Sequence, residues 1–231
     1  MTMPRAATNV SYPAALLHAS PIPTRRTGLW LIIALVMVTT ATGWFINERI
    51  ITRDVFHQLL DARLDTSRVD SQFDLLRQIE VWGYLATPLI LLVRLTAVAL
   101  TVQLFLLLTR EVPFRKVFLA TAWAQAAMCA AGIERAFYLA LLPSGEISQA
   151  TLWVMPGSLA SLLLYPEDIQ RPLYAMLSLV SVFELVWCAI LVFVLRRVAG
   201  VSTVAALAAT VGTWTLLAAL QLAITSYFAA A

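Results

Sequence analysis

Charge is scarce in this chain. Only 13% of its 231 residues are Asp, Glu, Lys or Arg, against roughly 25% in a soluble domain. Histidine occurs twice and cysteine twice. The two histidines, His18 and His57, stand far apart with no ligand spacing around them, so each is expected to be solvated or interfacial. Cys129 and Cys188 both lie inside apolar runs and read as free thiols packed among helices, with no disulfide framework or metal site. The sequence contains no phosphate-binding glycine loop, zinc-protease motif, paired catalytic carboxylates or nucleophile elbow. No catalytic residue, metal or cofactor is therefore expected, and the reading is non-enzymatic.

What is abundant is apolar. Hydrophobic residues make up 61% of the chain and the mean hydropathy is +0.83. No soluble core of this size accommodates that excess, so the solvent for most of the chain is lipid. The formal charge of +3 comes from small basic groups beside apolar runs. They form no stripe with aromatics, which excludes a nucleic-acid surface and leaves membrane topology as their meaning.

Residues 1–27, rich in Pro, Ala, Ser and Thr and ending in Arg25-Arg26, read as a flexible tail. No cleavage site follows the first apolar run, which is expected to be retained. Residues 28–231 then form one membrane domain. Five segments are long enough for about 30 Å of hydrocarbon: Leu29–Ile46, Val81–Thr109, Val117–Leu142, Pro172–Leu195 and Val201–Ala229. The expected fold is an all-α integral membrane protein. Arg25-Arg26, Arg110 with Arg115 and Lys116, and Arg196-Arg197 fall on alternate connections, while the other connections are acidic or balanced. The positive-inside rule puts the N-terminus in the cytoplasm and the C-terminus outside, in a bacterial inner membrane.

Two outer connections carry structure of their own. Across 48–80, Val55, Phe56, Leu59, Leu60, Leu64, Val69, Phe73, Leu76 and Ile79 recur at three- and four-residue steps among charges. That spacing predicts one or two amphipathic helices, lying on the outer face or offering a surface to a periplasmic partner. The loop 143–171 contains TLWVMPGSLASLLLY, too apolar for solvent and interrupted by Pro156-Gly157. It predicts a short interfacial or re-entrant element with Trp153 and Tyr165 at headgroup depth.

Polar residues inside the spans define the candidate site. Counting 1.5 Å per residue puts Arg94, Gln125 and Glu184 close to one level near the midplane, on three different helices. An unpaired charge there costs several kcal/mol, so Glu184 is expected to meet Arg94 with Gln125 nearby. Ser181, one turn from Glu184, adds a hydroxyl on the same face. Such a cluster serves either as an interhelical fastener or as part of a transport path. Glu134 and Arg135 fall near the outer boundary, within snorkelling reach of water. In the last segment Ala205, Ala209, Ala208 and Gly212 form small-residue pairs that permit close packing.

The stretch VPFRKVFLATAWAQ resembles the start of the third helix in Yip-type membrane domains, relatives of the Rab-GTPase-interacting proteins with bacterial members. SLASLLLYPEDIQRPLYAMLSLVSVFELVWCAILVFVLRRVAGVSTVAALAATVGTW resembles the remainder, through Pro172-Leu173, Leu177, Ser178, Phe183, Gly200, Ser202, Ala205 and Trp214. The family pattern has Asp or Asn where Ser181 stands, and a Trp three residues after the Phe; here Trp187 comes one place later. The resemblance covers about residues 80–225. It implies five membrane helices, a cytoplasmic N-terminus and a role in membrane organisation. The combined expectation is an accessory or scaffold protein binding lipid or other membrane proteins, as a hetero-complex or homo-oligomer, with a small transporter or permease subunit as the alternative.

Overall fold

The computed structural model describes residues 25–60, 65–148, 151–152, 154–164 and 172–230. The 1–24 part of the tail, Leu64, Trp153, Tyr165 and the acids Glu167 and Asp168 lie outside that set, and so do the expectations placed on them. The described chain is helical. Its only strand-like feature is one isolated bridge between Ser158 and Ser181.

Eight α-helices follow in order: α1 (Arg25–Phe45), α2 (Arg53–Leu60), α3 (Thr66–Leu107), α4 (Phe114–Leu141), α5 (Leu159–Leu163), α6 (Pro172–Ser178), α7 (Val182–Val194) and α8 (Thr203–Ala230). Single π turns extend α1 through Ile46–Ile50 and α7 through Leu195–Ala199. Four helical stretches are long and apolar enough to cross a membrane: Arg26–Ile50, Thr66–Leu107, Phe114–Leu141 and Thr203–Ile224. The chain is thus an all-helical protein with four candidate spans among the described residues.

α4 is the central post, packed against α7, α3 and α1, while α8 closes on α3 and α7. Its alanines make this possible. Ala120, Ala124 and Ala127 are buried with Val98, Val102, Leu106, Leu191 and Leu195 in the principal core. Small side chains let neighbouring backbones approach where lipid supplies no hydrophobic drive between helices. A second cluster, Leu35, Leu91, Leu95 and Ala122, seats α1 against α3 and α4. Gly212 packs within the chain: a Cβ there would lie 2.8 Å from the Phe105 ring of α3. Ala209 is buried beside it in the main core.

The fourth expected span is where the structure departs from the sequence reading. Pro172–Leu195 is not one helix. α6 ends at Ser178, the chain turns through Leu179 and Val180, and α7 starts anew at Val182. Ser181 takes an extended conformation as the N-cap, and its Oγ accepts the backbone N–H of Glu184 at 3.1 Å. A short hydroxyl side chain competes with the helix for that N–H, which is why serine starts helices more readily than it continues them. The interrupted backbone finds partners on the preceding loop. Leu159 N–H donates to Val180 C=O at 2.8 Å, and Val182 N–H donates to Gly157 C=O at 3.1 Å. Gly157 provides the bend with φ +68, a conformation that costs other residues about 1–2 kcal/mol. The apolar loop expected to be re-entrant is therefore the clasp that holds the break in the neighbouring helix.

The described part of the connection 48–80 is mostly helical, but its apolar stripe faces inward only in part. α3 runs unbroken for 42 residues, about 63 Å, so the amphipathic segment and the second span are one rod. Val69 and Phe73 on its first turns are buried with Val55 of α2, whereas Leu76 and Ile79 are exposed. Arg77 ties this end together. It pairs with Glu48 at 2.8 Å and Glu80 at 3.0 Å, donates to Asn47 C=O at 3.1 Å, and lies 5.0 Å over the Phe73 ring. Arg53 stacks on the same ring and pairs with Asp74 at 2.7 Å. His57 is also partnered, with Asp70 at 3.1 Å, rather than simply solvated. Ile50, Val55, Leu139 and Ile147 add a small core that joins this hairpin to the end of α4. At the opposite end, Arg110 donates to Gly200 C=O at 3.2 Å. The two basic connections after α3 and after α7 therefore sit side by side.

Candidate functional site

The polar residues picked out at mid-depth do come to one place. A cavity of about 370 Å³ opens among α3, α4, α7 and α8, and Arg94, Gln125, Glu184, Trp214 and Gln221 contribute its polar lining. The levels agree when counted from the basic end. Arg94 precedes Leu107 by 13 residues, about 20 Å; Gln125 follows Phe114 by 11, about 17 Å; Trp214 follows Thr203 by 11, about 17 Å; Glu184 precedes Val194 by 10, about 15 Å. The rest of the wall is apolar and includes Val98, Met128, Leu179 and Trp187.

The expected ion pair is not formed. Among the described residues no salt bridge joins Arg94 to Glu184; the carboxylate Oε2 accepts a hydrogen bond from Trp214 Nε1 at 2.7 Å. The reason lies in the break. Glu184 is in the first turn of α7, where helix geometry and the Ser181 cap fix its direction toward α8. The bond uses one of two carboxylate oxygens. Arg94 itself is exposed on α3, and Gln125 is buried on α4. Arg94, Gln125 and Glu184 thus line one cavity, but the hydrogen-bond partner of the carboxylate is Trp214. Ser181 contributes through the backbone of Glu184, not through its carboxylate.

Trp214 and Gln221 are not among the residues expected from sequence, which were charged groups, one amide and the Ser181 hydroxyl. The signal was present: an indole N–H is an obligate donor, and a second glutamine lies seven residues further along α8.

Glu134 and Arg135 are half-buried. Glu134 Oε2 and Arg135 Nε are both buried without a hydrogen-bond partner among the described residues. The Arg135 guanidinium donates to Leu152 C=O, and the Glu134 carboxylate oxygens lie 3.3 Å from where a Cβ would stand on Gly157. Successive residues on a helix project about 100° apart, so the two cannot pair; each supports a different part of the loop 143–171. A second hollow of about 460 Å³ lies under α2, bounded by Gly43, Asn47, Phe56, Leu60 and Arg135. Among the described residues its single charged group is Arg135, already engaged with Leu152.

Both cysteines are free, with Cys129 Sγ 3.6 Å from Thr39 Oγ1. Among the described residues no group of three or more His, Cys, Asp or Glu could hold a metal ion. Comparison with protein-family models, with curated proteins and with solved structures finds no match.

Proposed function

We propose that the chain is a non-enzymatic multi-pass membrane protein that binds a small polar solute in the cavity among α3, α4, α7 and α8, as a small transporter or permease subunit does. The observation that carries this reading is that Arg94 and Glu184 line one cavity without an ion pair between them. A fastener joins its charges; a binding site keeps them available. The interrupted helix beside the cavity supports the same view, since non-helical backbone at membrane depth is tolerated where it is buried in protein or lines a cavity.

In this proposal the broken pair α6–α7 supplies a fifth crossing, the basic turns holding Arg110 and Arg196-Arg197 face the cytoplasm of a bacterial inner membrane, and the C-terminus lies outside. The proposed kinship with Yip-type domains is compatible with these five crossings, though the role in membrane organisation that it implies fits an accessory protein.

The test is water access. With Cys129 and Cys188 replaced, Gln125→Cys in native membranes is expected to react with a small charged thiol reagent. Val102→Cys, fully buried in the core away from the cavity, is the control. Equal, slow labelling of both would mean a dry cavity and end the solute reading.

A second reading is an accessory or scaffold protein. It is favoured by the exposure of Arg94 together with broad apolar exposure along α1, where Trp30 is 68% and Met37 65% exposed. Partner helices or lipid would then cover these faces. Stable co-purification of a membrane protein in mild detergent, lost in Arg94→Gln, would favour it.

A further inference from the structure

We propose that the solute is a zwitterion, held with its anionic group on Arg94 and its cationic group on Glu184 between two indoles. This rests on the reading of the cavity as a water-accessible binding site. Among the described residues the cavity presents one cation and one carboxylate, and no ion pair joins them. Trp214 holds the carboxylate from α8 through Nε1 at 2.7 Å, while Arg94 projects from α3 and lies outside ion-pair distance of it.

Each simpler ligand leaves a charge uncompensated. An anion would satisfy Arg94 and sit beside the Glu184 carboxylate. A cation would satisfy Glu184 and face the guanidinium. A neutral molecule would leave both in a medium where isolated charges are costly. A zwitterion matches both, and the loaded site gains no net charge. The lining agrees with that polarity. Trp187 and Trp214 both face the cavity with Glu184, and indole faces attract organic cations. Gln125 has an amide N–H to offer the anionic group beside Arg94. Size agrees too: about 370 Å³ is the liquid volume of about twelve waters, room for a solute of amino-acid dimensions.

The experiment uses the full chain in nanodiscs, with binding followed by tryptophan fluorescence and calorimetry. Probes are glycine betaine and γ-aminobutyrate as zwitterions, acetate as the anion and tetramethylammonium as the cation. Saturable binding is expected for a zwitterion, with both single-charge probes at least about tenfold weaker. Arg94→Gln and Glu184→Gln should each weaken zwitterion binding by about tenfold or more, as expected for loss of one charge-assisted contact. Should either glutamine variant fail to fold, Arg94→Lys and Glu184→Asp keep the charge and displace it, and a weakened zwitterion is expected there as well. Acetate or tetramethylammonium binding as tightly as the zwitterions would overturn the inference, as would binding that ignores the substitutions. No zwitterion binding in a cavity that Gln125→Cys shows to be wet overturns the zwitterion alone; a dry cavity overturns the solute reading itself.

Discussion

The indole Nε1 of Trp214 donates to Oε2 of Glu184 at 2.7 Å, tying α8 to the first turn of α7. A bond to a charged acceptor contributes about 1.5–3 kcal/mol. Trp214→Phe, which keeps an aromatic ring but loses the donor and part of the indole's bulk, should lower stability in detergent by at least that amount. A double-mutant cycle between Trp214→Phe and Glu184→Gln should show coupling of about 1 kcal/mol or more. The parallel cycle between Arg94→Gln and Glu184→Gln should show less. Larger coupling to Arg94 than to Trp214 would contradict the geometry.

Gly212 is expected to be intolerant of any side chain. A Cβ would stand 2.8–3.0 Å from three atoms of the Phe105 ring, and overpacking of this kind costs about 1–3 kcal/mol. Gly212→Ala should therefore lower the thermal midpoint, and Phe105→Leu in the same chain should restore much of it. Without that rescue, the loss would have a source other than the α3–α8 contact.

The clasp on the broken helix predicts two effects of different size. Gly157→Ala forces a left-handed conformation on alanine at φ +68 and pushes a methyl to 3.3 Å from both Glu134 carboxylate oxygens; a loss of about 1–3 kcal/mol follows. Ser181→Ala removes only the cap, about 1 kcal/mol. Limited proteolysis of the loop 143–171 should accelerate in both, more in the glycine variant. The reverse order would mean that the cap, not the turn, holds the break.

Sidedness has its own test. A cysteine at Arg68, exposed on the first turns of α3, should react with an impermeant thiol reagent in intact spheroplasts, in the background lacking Cys129 and Cys188. A reporter fused after Ala231 should register the outer compartment. A cytoplasmic signal from either would remove the proposed orientation.

The long apolar runs were legible from composition because a span needs only length and hydrophobicity. The level of Arg94, Gln125 and Glu184 was legible because rise per residue is fixed. The break at Ser181 was not. Its hydroxyl sits in a run apolar enough to span, and the partners that stabilise the interruption, Gly157 and Leu159, are more than 20 residues away in sequence. The choice of Trp214 over Arg94 was hidden for the same reason: once α7 starts at Val182, the direction of Glu184 follows from the new helix start rather than from depth. The continuity of α3 was hidden by the change from polar to apolar composition near residue 80, which suggests a joint; Pro88, further along, does not end the helix either. A single proline removes only one N–H from a 42-residue ladder, and the ladder survives it.

That unbroken α3 makes the molecule a lever as well as a bundle. One arm reaches from Pro88 to Thr66, 22 residues or about 33 Å, and the other from Pro88 to Arg94, about 9 Å. The long arm is gripped by Arg77, Arg53 and α2; the short arm carries the cation of the cavity. Rigid tilting of this rod about Pro88 by about 10° would carry Thr66 through about 6 Å and Arg94 through between 1 and 2 Å. The arm ratio fixes the gearing: large travel at Thr66 corresponds to a small, stiff displacement at Arg94.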